Sequence, residues 1–233
     1  MNARAGTSAS AVRTMMRTRL TASLATTLVR PGPSVGWPYA SLVLVAADFD
    51  GSPLLLISRL AEHTKNIAGD NRVSLLFDSS EESPDRLAGA RVTVLGRAAV
   101  FDNADAKARF VRRQPEAAGY AGFGDFSLYR VAVDSAHLVG GFGRIEWIDG
   151  AAIVLDAAGS EALAEGEAAL VERLNSAGLA EKLGQSQGVG SGWTVTGVDP
   201  EGIDLRRNAQ AARVAFPAPV RDAAAALAFA SAQ

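Results

Sequence analysis

Between residues 37 and 150, short apolar runs alternate with tight-turn signals, and this rhythm constrains the fold more than any other feature of the chain. Leu42–Val45, Leu54–Ile57, Val73–Phe77, Arg91–Phe101, Tyr129–Val133 and Arg144–Ile148 read as strands. Leu42–Ala46 and Leu54–Ile57 make an apolar hairpin joined through Asp50-Gly51, since glycine tolerates positive φ. The unbroken apolar runs at Leu42–Val45 and Leu54–Ile57 predict strands covered on both faces. Gly89 marks a turn, and Gly96 a bulge in the long strand that follows. Only short helices interrupt the pattern: Ala61–Ala68, stopped by Gly69, and Asp102–Arg113, with Asp102 as its N-cap. Several short strands with helices at the corners predict a small β-barrel within an α+β chain, not a βαβ sheet.

The flanking segments differ in composition. No Asp or Glu precedes Asp48, while Arg4, Arg13, Arg17, Arg19 and Arg30 do. The favoured reading of residues 1–22 is a surface helix, with Val12, Met15, Met16 and Leu20 near helical spacing and Arg13 and Arg17 on the solvent side. An organelle transit segment is the other reading, although its removal would endanger the strand Leu24–Val29. Residues 23–150 then form the barrel domain. Residues 160–233 form a small α+β domain: a helix around Glu165–Leu174, the strands Trp193–Val198, Ile203–Arg206 and Arg213–Phe216, and an Ala-rich helix from Asp222.

Composition excludes several classes of function. There are no cysteines, which removes disulfides, thiolate nucleophiles and cysteine-ligated metals. A net charge of −2 gives no general attraction to nucleic acid or anionic membranes. No apolar run is long enough to span a bilayer, and with no cysteine a reducing cytoplasm is the simplest compartment to expect. His63 and His137 are the only histidines, and two so far apart in sequence, without a nearby carboxylate pattern, do not suggest a metal site.

The most polar candidate is Ser58-Arg59-Leu60-Ala61-Glu62-His63-Thr64-Lys65-Asn66, where an apolar strand empties into a short helix. Arg59, His63 and Asn66 are spaced i, i+4 and i+7 and share a face if the helix begins early. Donors near a helix N-terminus suit a phosphate or a propionate. Ser58 serves equally as a helix cap, Arg59 and Lys65 as a solvated face, and His63 as a histidine bonded across a subunit interface. Arg91, at a strand start, and Arg144, closing Gly140-Gly141-Phe142-Gly143-Arg144, are further candidates. The glycine run lacks the strand–turn–helix setting of a dinucleotide fingerprint and reads as a barrel corner.

Trp37-Pro38-Tyr39-Ala40-Ser41-Leu42, Asp50-Gly51-Ser52-Pro53-Leu54, the Ser58–Asn66 segment, Arg72-Val73-Ser74-Leu75-Leu76 and His137-Leu138-Val139-Gly140-Gly141-Phe142-Gly143-Arg144 resemble the HugZ-like branch of the pyridoxamine 5'-phosphate oxidase-like, FMN-binding split barrels. Val198-Asp199-Pro200-Glu201-Gly202-Ile203-Asp204-Leu205 resembles the small domain of unknown function that often follows that barrel. The resemblance implies an FMN-binding split β-barrel followed by a small α+β domain, and a homodimer with its ligand site at the subunit interface. It implies FMN held by Ser58, Arg59, His63, Thr64, Lys65 and Asn66, with Arg91 and Arg144 beside them. His63 takes a position where relatives commonly carry lysine, and a neutral imidazole is the weaker phosphate partner.

Some relatives degrade haem through a C-terminal histidine ligand, but here no histidine follows His137. In Glu172-Arg173-Leu174-Asn175-Ser176-Ala177-Gly178 only Asn175 survives of the relatives' histidine-rich pattern. Two expectations follow. The first is an FMN-dependent flavoprotein of oxidoreductase type, with the flavin supplying the chemistry and no acid, base or nucleophile standing out. The second is a non-catalytic ligand-binding or regulatory split barrel of tetrapyrrole metabolism, with haem as the alternative cofactor.

Overall fold

The computed structural model describes residues 2–140, 143–187 and 190–233. It divides into two compact units, one ending at Leu155 and the other running from Asp156 to Gln233.

The first unit contains α1 (Asn2–Thr18), β1 (Thr21–Thr27), β2 (Pro38–Leu44), β3 (Ala46–Ala47), β4 (Pro53–Ser58), α2 (Glu62–Gly69), β5 (Arg72–Asp78), β6 (Arg91–Val100), α3 (Ala104–Arg113), β7 (Phe126–Val139), β8 (Ile145–Asp149) and α4 (Gly150–Ile153). Its strands form one antiparallel sheet in the order β2-β1-β5-β6-β7-β4-β3, with β8 joined to β7. The long β7 pairs with β6 along one side. Along the other it pairs with β4 at its start and β8 at its end. This is the curled split-barrel sheet the sequence predicts. Its register slips between Leu95 and Gly96, the bulge expected there. A Cβ at Gly96 would overlap the Ala132 carbonyl, so only glycine lets β6 lie this close to β7.

Strand β4 shows why Leu54–Ile57 is unbroken. Leu55 and Ile57 enter one core with Leu24, Leu75, Val92 and Val94, while Leu54 and Leu56 enter a second with Ala106, Phe110 and Leu128. The run at Leu42–Val45 behaves differently. Leu42 is 74% and Val43 5% exposed, because side chains of β2 alternate between the open outer face and the core, and β2 is a sheet-edge strand paired with β1 alone. The expected hairpin is therefore much smaller: two-residue β3 pairs with β4, and Gly51, at φ +91°, turns between them.

Helix α1 corrects a second expectation. Arg13 and Arg17 point inward, at 7% and 2% exposure. They share the helix stripe of Val12 and Met16, which pack in the barrel core. Arg17 Nη2 donates to the carbonyls of Asp48 and Phe49, both at 3.0 Å. Arg13 Nη1 donates to the carbonyls of Ala152 and Ile153 at 3.1 and 3.0 Å. Buried guanidiniums are tolerated here because carbonyls of the Asp48–Gly51 turn and of the end of α4 receive them. On α3 it is Asn103, not Asp102, that caps, accepting from Ala106 N at 2.9 Å.

The second unit contains α5 (Glu161–Ser176), α6 (Leu179–Gln185), the meander β9 (Thr194–Asp199), β10 (Gly202–Arg207) and β11 (Gln210–Ala215), and α7 (Ala223–Ser231). Gly178, at φ +70°, separates α5 from α6, so the chain is not one helix through Gly184. Strand β9 is an edge, and α5 covers it with polar groups. Asn175 Oδ1 accepts from Val195 N at 2.8 Å and its amide donates to Val195 O at 3.0 Å. Glu167 Oε1 accepts from Val198 N at 3.1 Å. Asn175 is thus a structural latch that satisfies an open sheet edge.

Candidate functional site

The polar connection from β4 to α2 is clamped from outside. Ser58 Oγ donates to Asp125 Oδ2 at 2.6 Å and accepts from Leu60 N at 3.1 Å. Arg59 N donates to the Asp125 carbonyl at 2.8 Å. The hydroxyl proton of Ser58 is therefore committed to a carboxylate, and Ser58 is not the cap of α2. The cap position is Ala61, which supplies no side-chain acceptor. Thr64 N and Lys65 N donate to the Ala61 carbonyl at 3.2 Å, which leaves the amides of Glu62 and His63 as the first-turn donors open to an anion.

The eight residues singled out in the sequence do not form one cluster. Arg59 precedes α2, so it shares no helical face with His63 and Asn66. Asn66 is fully buried. Its amide donates to Thr26 Oγ1 at 3.0 Å and its Oδ1 accepts from Val29 N at 3.2 Å, fastening α2 to β1. Thr64 is buried, and its hydroxyl has no hydrogen-bond partner among the described residues. Lys65 is exposed, 3.7 Å from Glu62 one turn away. Arg59 is exposed, with no side-chain partner among the described residues.

His63 is half-buried on α2 and its Nδ1 lies 3.2 Å from Ser41 Oγ on β2. Burial lowers its pKa below the usual 6.5, so the ring is neutral at pH 7. Its Nε2 has no protein partner among the described residues and is not sealed from solvent. In the tautomer in which Nδ1–H donates to Ser41 Oγ, the open Nε2 carries the lone pair that a metal-ligating histidine uses. Among the described residues no group of three His, Cys, Asp or Glu could hold a bare metal ion.

Arg91 and Arg144 lie at the other end of the sheet. Ser58 pairs with Phe126 and Arg91 with Val139, which separates them by roughly 40 Å of extended β7. Arg91 donates to the carbonyls of Leu87 and Gly89 at 3.0 and 3.2 Å, ordering the turn before β6. Arg144 Nη2 donates to Ser8 Oγ at 3.3 Å, and Ser8 in turn donates to Glu146 at 2.7 Å. Neither arginine reaches the β4–α2 connection within one chain. Gly141 and Phe142 of the glycine run lie outside the described residues.

Between these two ends the outer sheet face alternates apolar and uncharged polar residues. Leu42, Ser23, Leu76, Thr93, His137 and Trp147 stand in register across neighbouring strands. Trp147 is 62% and Ile145 66% exposed. The rings of His137 and Trp147 stack at 4.7 Å. His137 therefore lies inside β7 and not at a strand start.

Ser41 and Asp125 went unrecognised as site residues. Ser41 had a local signal, a hydroxyl on an otherwise apolar edge strand. Asp125 had none, since its link to Ser58 is purely tertiary.

Comparison with known proteins follows this geometry. The family model described as pyridoxamine 5'-phosphate oxidase matches residues 9–140, more than half of the chain. The chloroplastic heme oxygenase HOZ of Arabidopsis thaliana is 35% identical over 109 residues, covering 46% of this chain but only 33% of HOZ. A solved protein of unknown function from Agrobacterium tumefaciens superposes with a TM-score of 0.83 at 29% identity, covering 97% of this chain and 94% of that one. A heme binding protein from Mycobacterium smegmatis superposes with a TM-score of 0.58 at 29% identity, covering 96% of each chain.

Proposed function

We propose that this chain, which belongs to the pyridoxamine 5'-phosphate oxidase family, is a haem-binding protein whose site lies at the β4–α2 connection. The observation that carries this reading is His63: neutral, held at Nδ1 by Ser41, and open at Nε2. Haem needs one such nitrogen for its iron and cations for its propionates. Arg59 and the uncapped α2 amides supply the second requirement. Two relatives whose names state heme chemistry or binding support the class of ligand. No histidine lies in the second unit, so an axial ligand from that unit is excluded.

FMN is the second reading, favoured by the family and by the same uncapped amides. Its dianionic phosphate fits this chain less well. Ser58 has given its proton to Asp125, and Asn66 and Thr64 are turned into the protein. The Asp125 carboxylate beside the loop also opposes a phosphate dianion brought close to Ser58.

A homodimer completes the proposal. Leu42, Ile145 and Trp147 stand exposed on the outer face and would be covered in such a pair, and a second copy would bring Arg91 and Arg144 to a site they cannot reach within one chain. The protein's role in this reading is reversible haem binding, with oxidoreductase turnover on FMN as the alternative.

Separate titrations with haemin and FMN test the choice. Haemin should give a sharpened, shifted Soret band that His63→Ala abolishes, and FMN fluorescence should stay unquenched. Quenched FMN with no haemin spectrum would establish the flavin reading. If neither ligand responds, both readings fail.

A further inference from the structure

A second concavity lies on β6 and β7, beyond the Gly96 bulge and far along the sheet from Arg91. It encloses about 390 Å3, within the range of small-molecule sites. Its lining is built around a two-by-two block on one sheet face: Arg97 pairs with Ala132, and Ala99 with Arg130. The two arginines are diagonal neighbours, and the two alanines between them leave the space open. Val100, Val133 and Val154 extend the apolar floor.

The two guanidiniums differ in how they are held. Arg130 is fixed: its Nη2 donates to Asp50 and to Ser52 Oγ, its Nε lies 3.3 Å from Asp48, and it stacks over Phe101 at 5.3 Å. Its Nη1 makes no hydrogen bond among the described residues and is not sealed from solvent. Arg97 is loosely held. Its Nε is 3.7 Å from Asp134, both side chains are more than half exposed, and its terminal nitrogens have no partner among the described residues.

We propose that this groove is a ligand site for a small amphipathic monocarboxylate with a flat apolar body. The carboxylate pairs with the terminal nitrogens of Arg97, whose planar fork matches it. The body lies over Ala99, Ala132 and Val133. The free Nη1 of Arg130 donates to a neutral acceptor on the ligand. Asp48 and Asp50 both compensate Arg130, so the ligand's charge falls to Arg97, where it competes only with the exposed Asp134 at 3.7 Å. A single ligand charge is accommodated at Arg97, whereas a phosphate dianion is repelled.

The test uses 1-naphthoate, 1-naphthyl phosphate and 1-naphthylmethanol, with binding read by protein-observed methyl NMR and ligand fluorescence. Naphthoate should shift the methyl signals of Ala99 and Ala132 and bind more tightly than the other two. Arg97→Ala should weaken it by about tenfold or more, and Ala132→Trp, which fills the groove from an exposed position, should abolish binding. His63→Ala should leave it unchanged, which separates this site from the proposed haem site. Near-UV circular dichroism checks that the variants fold. The proposal is overturned if naphthoate fails to bind, binds without moving those methyls, survives Ala132→Trp, or is outbound by the phosphate ester.

Discussion

Helix α1 and the β4–α2 connection use the same side chain in opposite ways. Arg17 of α1 is 2% exposed and spends its guanidinium on turn carbonyls. Arg59 stands in solvent with no side-chain partner among the described residues. Neither the arginine nor its neighbours in sequence distinguish the two cases. What distinguishes them is whether unsatisfied backbone acceptors lie within reach. Where they do, arginine becomes part of the core. Where they do not, it stays in solvent.

The largest predicted effect breaks this contrast most openly. Arg17→Ala takes a donor from the Phe49 carbonyl, leaves the Asp48 carbonyl with Gly51 N alone and empties a packed site, and should cost about 3 kcal/mol. Arg59→Ala should stay within about 0.5 kcal/mol. Urea denaturation of both variants checks the pair, and equal costs would show that the burial of Arg17 is incidental. Next comes Asn66→Ala, which strands Val29 N and Thr26 Oγ1 and should cost about 2 kcal/mol. A purely ligand-facing Asn66 would instead leave stability untouched.

The pH dependence has a definite sign. Burial lowers the folded-state pKa of His63 below 6.5, so on acidification the unfolded chain takes up that proton first. This contribution to stability is complete above pH 6.5 and is lost as pH falls through the folded value. The urea midpoint should therefore fall between pH 7 and pH 5 by less in His63→Gln than in the parent. The smallest effect belongs to Lys65→Ala, where loss of an exposed one-turn pair should cost no more than about 0.5 kcal/mol by thermal denaturation.

What was legible in the sequence follows from range. The run at Leu54–Ile57 announces a strand buried on both faces, and Asp199-Pro200-Glu201-Gly202 announces the turn between β9 and β10, because both signals are local. Leu42–Val45 carries the same apolar signal, yet Leu42 is exposed because the outer face of β2 is open, a fact of tertiary packing. Arg13 and Arg17 looked solvent-facing because charge was read without the distant carbonyls that receive it. At the candidate site Arg59 and His63 were visible as a polar step after an apolar strand. The link from Ser58 to Asp125 and the inward turn of Asn66 were not, since their partners are 67 and 40 residues away. Asn175 read as the remnant of a lost ligand pattern and proved to be the latch on β9.

The central claim is that His63 Nε2 ligates haem iron, and cavity rescue tests it most directly. His63→Gly mixed with haemin should lack the parent Soret band, and added free imidazole should restore it by occupying the vacated place beside Ser41. A His63→Gly complex whose spectrum matches the parent without imidazole would contradict the account.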